Sequence, residues 1–179
     1  PPAGEAAALV VLLHGYGADG HDLIALGEAL GPHMPGTAFR APHAPDPCRV
    51  NPAGRQWFPI PWIDGSPEAE MRESFLRAAE MLEAHLAAAM AEEGVEPVRT
   101  ALVGFSQGTM MSLETGPRLT PALAGIVGFS GRIADPERLG AAPSRPPVLL
   151  AHGDLDDVIP VSALGETEAA LTAADFPVA

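Results

Sequence analysis

Apolar residues along the chain fall into two kinds of run. Short, continuous apolar stretches occur at Ala8 to Leu13, Thr100 to Phe105, Ala124 to Phe129 and Pro147 to Ala151, with a weaker one at Thr37 to Ala41. Continuous rather than alternating runs are what a strand covered on both faces requires, so these segments predict buried parallel strands. Between them the pattern changes to three- and four-residue steps. From Pro67 to about Glu93, Met71, Phe75, Ala78, Ala79, Leu82 and Leu86 mark one apolar helix face. Ser66 is the predicted N-cap, Pro67 fits the first helical position, Glu68 and Glu70 suit the positive dipole end, and Gly94 stops the helix. Shorter helices are predicted at about Asp22 to Leu30, Gln107 to Thr115 and Val161 to Ala174. Strands alternating with helices indicate βαβ units around a parallel sheet. The 179 residues show no repeat and no linker, which predicts a single α/β domain spanning 1–179.

One stretch breaks the alternation. Pro42 to Gly65 holds six prolines, both Trp residues, Cys48 and two Arg. An ordered loop of this length in a compact domain is often functional. Trp57, Phe58 and Trp62 are therefore candidates for the wall of an apolar substrate pocket.

Composition narrows the function classes. Hydrophobic residues make up 47% and charged residues 18%, a globular balance. The formal net charge is −13, and all ten basic residues are Arg. So negative a chain opposes binding to nucleic acid and stable association with anionic membranes. Without Lys there is no P-loop lysine. One Cys excludes a disulfide framework, and no signal peptide or membrane-length apolar run is visible, so the expected location is cytoplasmic. The chain opens on Pro1-Pro2 rather than Met, which suggests a trimmed N-terminus. No metal-ligand spacing occurs, and no metal or cofactor is expected.

Three segments carry candidate chemistry. Gly104-Phe105-Ser106-Gln107-Gly108 follows an apolar strand and precedes a helical stretch, the context of a nucleophile elbow. The turn is too sharp for side chains two positions either side of the serine, hence Gly104 and Gly108. The new helix presents free N–H groups and the positive end of its dipole, so the Gln107 N–H suits a developing oxyanion. His14-Gly15-Tyr16-Gly17 ends the first strand, and the Tyr16 N–H is a candidate second donor. Asp154, Asp156 and Asp157 share the turn after the last strong strand, where an α/β hydrolase holds its acid. Spacing does not choose among them. Ser130 lacks a Gly two residues on and suits a turn. Cys48 suits an inert packed thiol.

Together these stretches resemble the serine carboxylesterase, lysophospholipase-like and acyl-protein thioesterase family of the α/β-hydrolase superfamily. The resemblance rests on LLHGYGADGHDL (12–23), FRAPHAP (39–45), WFP (57–59), GFSQGTMMSLE (104–114) and HGDLDDVIPV (152–161), in the family's order over almost the whole chain. It implies an α/β-hydrolase fold with a mostly parallel sheet, Ser106 as nucleophile, Asp156 as the acid that orients a histidine, and the Tyr16 and Gln107 backbones as oxyanion hole. It implies a small-molecule ester or thioester of small to medium acyl length as substrate, an acyl-enzyme intermediate, and a homodimer as the assembly. The family's histidine follows its acid, in a Gly-His turn after a further strand, and no His follows His152 here. The expectation is therefore a domain incomplete at its C-terminus. The competing expectation is a hydrolase-fold binding protein that lacks its histidine. His14, His21, His33, His43, His85 and His152 are assigned structural or solvent roles.

Overall fold

The computed structural model describes residues 6–179. Its centre is a five-stranded sheet formed by β1 (Ala8–Leu13), β2 (Thr37–Arg40), β5 (Thr100–Phe105), β6 (Gly125–Phe129) and β7 (Val148–Ala151). The strand order is β2-β1-β5-β6-β7, and every neighbouring pair is parallel. The five predicted strands thus occur within a residue of their expected limits. The core side chains of β1, Leu9 and Val11 to Leu13, are fully buried, as a central strand with both faces covered requires. Residues 177–179 run beside β7, with the Val148 N–H donating to the Pro177 carbonyl at 2.8 Å.

Helices flank this sheet. α1 (Gly20–Leu30) packs on β1 and β2. It begins two residues before the predicted Asp22, because Asp19 closes a reciprocal capping box with Asp22. The long helix α3 (Glu68–Glu93) buries Phe75, Ala78, Ala79, Leu82, Leu86 and Ala89 along the predicted face and ends at Gly94 in the left-handed region. Its start corrects one expectation. Pro67 is the cap residue, extended at ψ 143°, and no side chain caps the helix. Ser66 lies one residue further out, its N–H donating to Asp64 Oδ1 at 2.9 Å. α4 (Gln107–Thr115) crosses β1, β5 and β6, and α5 (Ser162–Ala173) lies against β7. Among the described residues, no helix is long and apolar enough to cross a membrane.

The long loop has structure of its own. β3 (Asp46–Pro47) and β4 (Arg55–Gln56) form a small antiparallel pair, and α2 (Pro61–Asp64) is a single turn between Pro61 and the left-handed Gly65. Trp57, Phe58 and Ile60 are buried in the core between them.

The buried His14 ties this loop to the end of β1. The Ala44 N–H donates to its Nε2 at 3.0 Å, so the proton resides on Nδ1 and is donated to the Gly15 carbonyl at 2.8 Å. Burial lowers the pKa of His14 from 6.5, outweighing the opposing Gly15 hydrogen bond and the Asp19 charge. Burial likewise lowers His85, with Arg40 adding to the effect. Just below pH 6.5 the unfolded chain then binds more protons than the folded one, so stability rises with pH through that window and is lost as pH falls. The urea midpoint is expected to drop between pH 7.5 and 5.5, and His14→Gln to remove part of that dependence. An unchanged pH dependence in the variant would refute the neutral, buried role of His14.

Candidate active site

Sheet topology determines where the chemistry lies. β2 leaves β1 on one side and β5 lies on the other, so β1 and β5 flank the point where strand order reverses. Ligand sites of open parallel sheets form at the carboxyl ends of such strands. Leu13 of β1 is in register with Gly104 of β5. The loop at 14–17 and the turn at 105–107 therefore emerge side by side.

Ser106 has φ 54° and ψ −115°, a strained conformation for any residue but glycine. Its N–H donates to the Phe129 carbonyl at 2.9 Å on the neighbouring strand. The two glycines are required by backbone contacts. A Cβ on Gly104 would lie 2.4 Å from the backbone of Gly108, and a Cβ on Gly108 would lie 1.9 Å from the Leu13 carbonyl oxygen. α4 can pass this close to β1 only because both positions lack side chains.

Ser106 opens into a cavity of about 550 Å³, which Tyr16 and Gln107 also line. Among the described residues, neither of their N–H groups donates to an acceptor within the chain. Both are thus free for a substrate oxygen, one from the β1 loop and one from the first turn of α4. The Gln107 side chain has a second task. It is buried, its Oε1 accepting from the Trp57 N–H at 3.0 Å and its Nε2 donating to the Phe58 carbonyl at 2.7 Å.

Asp156 lines the same cavity, whereas Asp154 and Asp157 are exposed and do not. The fold thus separates three acids that spacing leaves equivalent. Asp156 Oδ1 accepts from the Val158 and Ile159 N–H groups at 3.0 and 2.9 Å. The Ile159 bond is the main influence holding this carboxyl below its ordinary range, outweighing desolvation with help from the Val158 N–H. His152 does not line the cavity. Its buried Nε2 faces the Ile159 carbonyl at 2.8 Å and Asp156 Oδ2 at 3.5 Å. No His lines this cavity among the described residues.

Ser130 is more than the expected turn residue. Phe105 is in register with Phe129, so Ser106 and Ser130 follow equivalent positions on adjacent strands. Ser130 also has positive φ, 46°, and lines the cavity together with Asp156. The repeated Gly-Phe-Ser at 104–106 and 128–130 was the signal available in the sequence.

Phe58 and Trp62 line the cavity with Ile60, Ile63 and Met110. Trp57 does not, which corrects its assignment to the pocket wall. It is 2% exposed, and its indole N–H donates to the His14 carbonyl at 2.9 Å, so the ring points behind the site. Trp62, on α2, is 69% exposed. Away from the cavity, Asp19, His21 and His43 bring possible metal-ligating atoms within 4.8 Å. Their lone pairs serve the fold: Asp19 caps α1, and His43 Nδ1 accepts the Gly20 N–H at 3.2 Å.

The chain is similar to known esterases and thioesterases. The profile of the Phospholipase/Carboxylesterase family matches residues 1–175. The acyl-protein thioesterase 1 of Gibberella zeae is 31% identical over 174 residues, 89% of this chain and 74% of that protein. The crystal structure of esterase PE8 superposes with a TM-score of 0.93 at 46% identity, covering 100% of this chain and 84% of that one. Acyl-protein thioesterase 2 of Zea mays gives 0.69 at 25% identity, covering 99% and 84%. With the motifs in order, the parallel sheet and the elbow at its switch point, the chain belongs to the phospholipase/carboxylesterase family of α/β hydrolases, whose members here include esterases and thioesterases.

Proposed function

We propose that the protein is a serine esterase cleaving carboxylic esters or thioesters of small to medium acyl length. The observation that carries this reading is the strained Ser106 in one cavity with two free N–H groups and a hydrogen-bonded carboxylate. Ser106 Oγ attacks the acyl carbonyl carbon. The carbonyl oxygen becomes an oxyanion held by the Tyr16 and Gln107 N–H groups, assisted by the α4 dipole. An imidazole takes the serine proton and returns it to the departing alkoxide or thiolate, and Asp156 orients that imidazole. None of the six histidines in residues 1–179 lines the cavity, and the imidazole in this mechanism belongs to a residue outside them. Water, activated by the same base, then attacks the acyl-enzyme and releases the acid and Ser106. Phe58, Ile60, Trp62, Ile63 and Met110 provide the apolar wall for the acyl chain.

A fluorophosphonate probe tests the reading. One adduct per chain is expected by intact mass, and the modified peptide should contain Ser106. An adduct elsewhere, on Ser130 for instance, or no adduct at all on the full-length protein, would overturn it.

A further inference from the structure

The two residues that offer free N–H groups to the cavity both use their side chains on the same segment, 57–64. Gln107 holds its start, through the Trp57 N–H and the Phe58 carbonyl. Tyr16 holds its end. The Tyr16 hydroxyl donates to Asp64 Oδ2 at 2.9 Å. The same carboxylate fastens α2, with Oδ2 accepting from the Ile60 N–H and Oδ1 from the Ser66 N–H, each at 2.9 Å. Between the two anchors lie Phe58, Ile60, Trp62 and Ile63, the apolar wall of the Ser106 cavity. Nothing else in an esterase mechanism calls for a tyrosine at position 16, since only its backbone would meet the oxyanion.

From this geometry we infer that Asp64 is a positioning residue: through the Tyr16 hydroxyl it latches the acyl wall to the oxyanion loop, so that wall and loop keep one fixed spacing and longer acyl chains are selected. The inference rests on Ser106 being the nucleophile. The latch holds over a wide pH range. Burial pushes the Asp64 carboxyl up, but hydrogen bonds from Ser66, Ile60 and Tyr16 outweigh it and bring the pKa down to about 2. The Tyr16 hydroxyl is raised above its ordinary 10.0 by burial and by Asp64, and so remains a donor. A substrate whose acyl chain is too short to touch the wall gains nothing from the latch, whereas a longer chain does.

Tyr16→Phe removes the hydroxyl and keeps the backbone N–H. Asp64→Asn weakens the same bond from the other side. Two measurements on the full-length protein test the inference. The first is amide exchange across residues 57–66, expected to rise about tenfold in either variant, because a charge-assisted bond of this kind is lost. The second is the ratio of kcat/KM for p-nitrophenyl hexanoate to that for p-nitrophenyl acetate. It is expected to fall about tenfold, through KM for hexanoate, and to fall no further in the double variant than in Asp64→Asn alone, because the Tyr16 contact is already lost there. Unchanged exchange overturns the latch whatever the enzyme does. Raised exchange with an unmoved ratio overturns its role in acyl selection. A wild-type protein inert to both esters counts against the Ser106 reading, and the exchange measurement then decides the latch alone. If Tyr16→Phe does not fold, Asp64→Asn carries both measurements, with exchange read only at amides that do not donate to Asp64, such as Trp57, Phe58 and Trp62.

Discussion

Ser106→Ala is expected to lower kcat by about 10⁶-fold, the scale on which hydrolases of this mechanism lose activity with their nucleophile. The thermal midpoint should change little. The hydroxyl takes part in no hydrogen bond among the described residues, so its loss leaves no buried partner unsatisfied. Alanine is as strained as serine at φ 54°, so the substitution neither relieves nor adds backbone strain. A steady-state assay with p-nitrophenyl esters beside a melting curve separates the two quantities. Turnover within 10³-fold of wild type would show that another group performs the attack. A large fall in midpoint would mean that the hydroxyl has a structural partner, contrary to the observed bonding.

Much of this was legible in the sequence, and the reason differs by element. The central strands were legible because burial on both faces leaves an uninterrupted apolar run, as in Ala8 to Leu13. Ser106 was legible because its requirements are local: a sharp turn, two missing side chains and a helix start. α2 and the β3-β4 pair were not, since one turn of helix and two-residue strands are too short for any periodicity. Pro61 and Gly65 nevertheless bracket α2 at the positions helix ends favour. Composition could not divide the labour of Trp57 and Trp62 either. Both are aromatic residues in a Pro-rich loop, but only the indole of Trp57 meets the His14 carbonyl inside the molecule. Asp64 drew no signal, and Ser130 read only as a turn residue, for a further reason. Asp64 meets Tyr16, and Ser130 shares a cavity with Asp156, and only strand register and the path of the loop bring these distant residues together.

Asp156→Asn is expected to reduce kcat by about 10⁴-fold with KM little changed, because the side chain acts on the base and not on bound substrate. Asparagine suits the test because it preserves the local structure. Its carbonyl oxygen can still accept from the Val158 and Ile159 N–H groups, so the turn at 153–159 keeps its shape and the midpoint should hold. What changes is the group offered to an imidazole. A carboxylate accepts the Nδ1 proton, holds the tautomer whose Nε2 can take the serine proton, and stabilises the cation that forms. An amide can present its NH₂ instead, which favours the opposite tautomer and carries no charge. The Ile159 hydrogen bond, ahead of the other influences, holds the Asp156 carboxyl below its ordinary range. The acid limb of the wild-type pH–rate profile should therefore track the imidazole, with Asp156 already ionised throughout. Asp154→Asn and Asp157→Asn are the matched controls: both side chains are exposed and outside the cavity, and kcat should stay within about threefold of wild type, the scale of surface substitutions. Normal turnover in Asp156→Asn beside a large loss in either control would move the role to that neighbouring acid and overturn the placement of the orienting carboxylate in the Ser106 cavity.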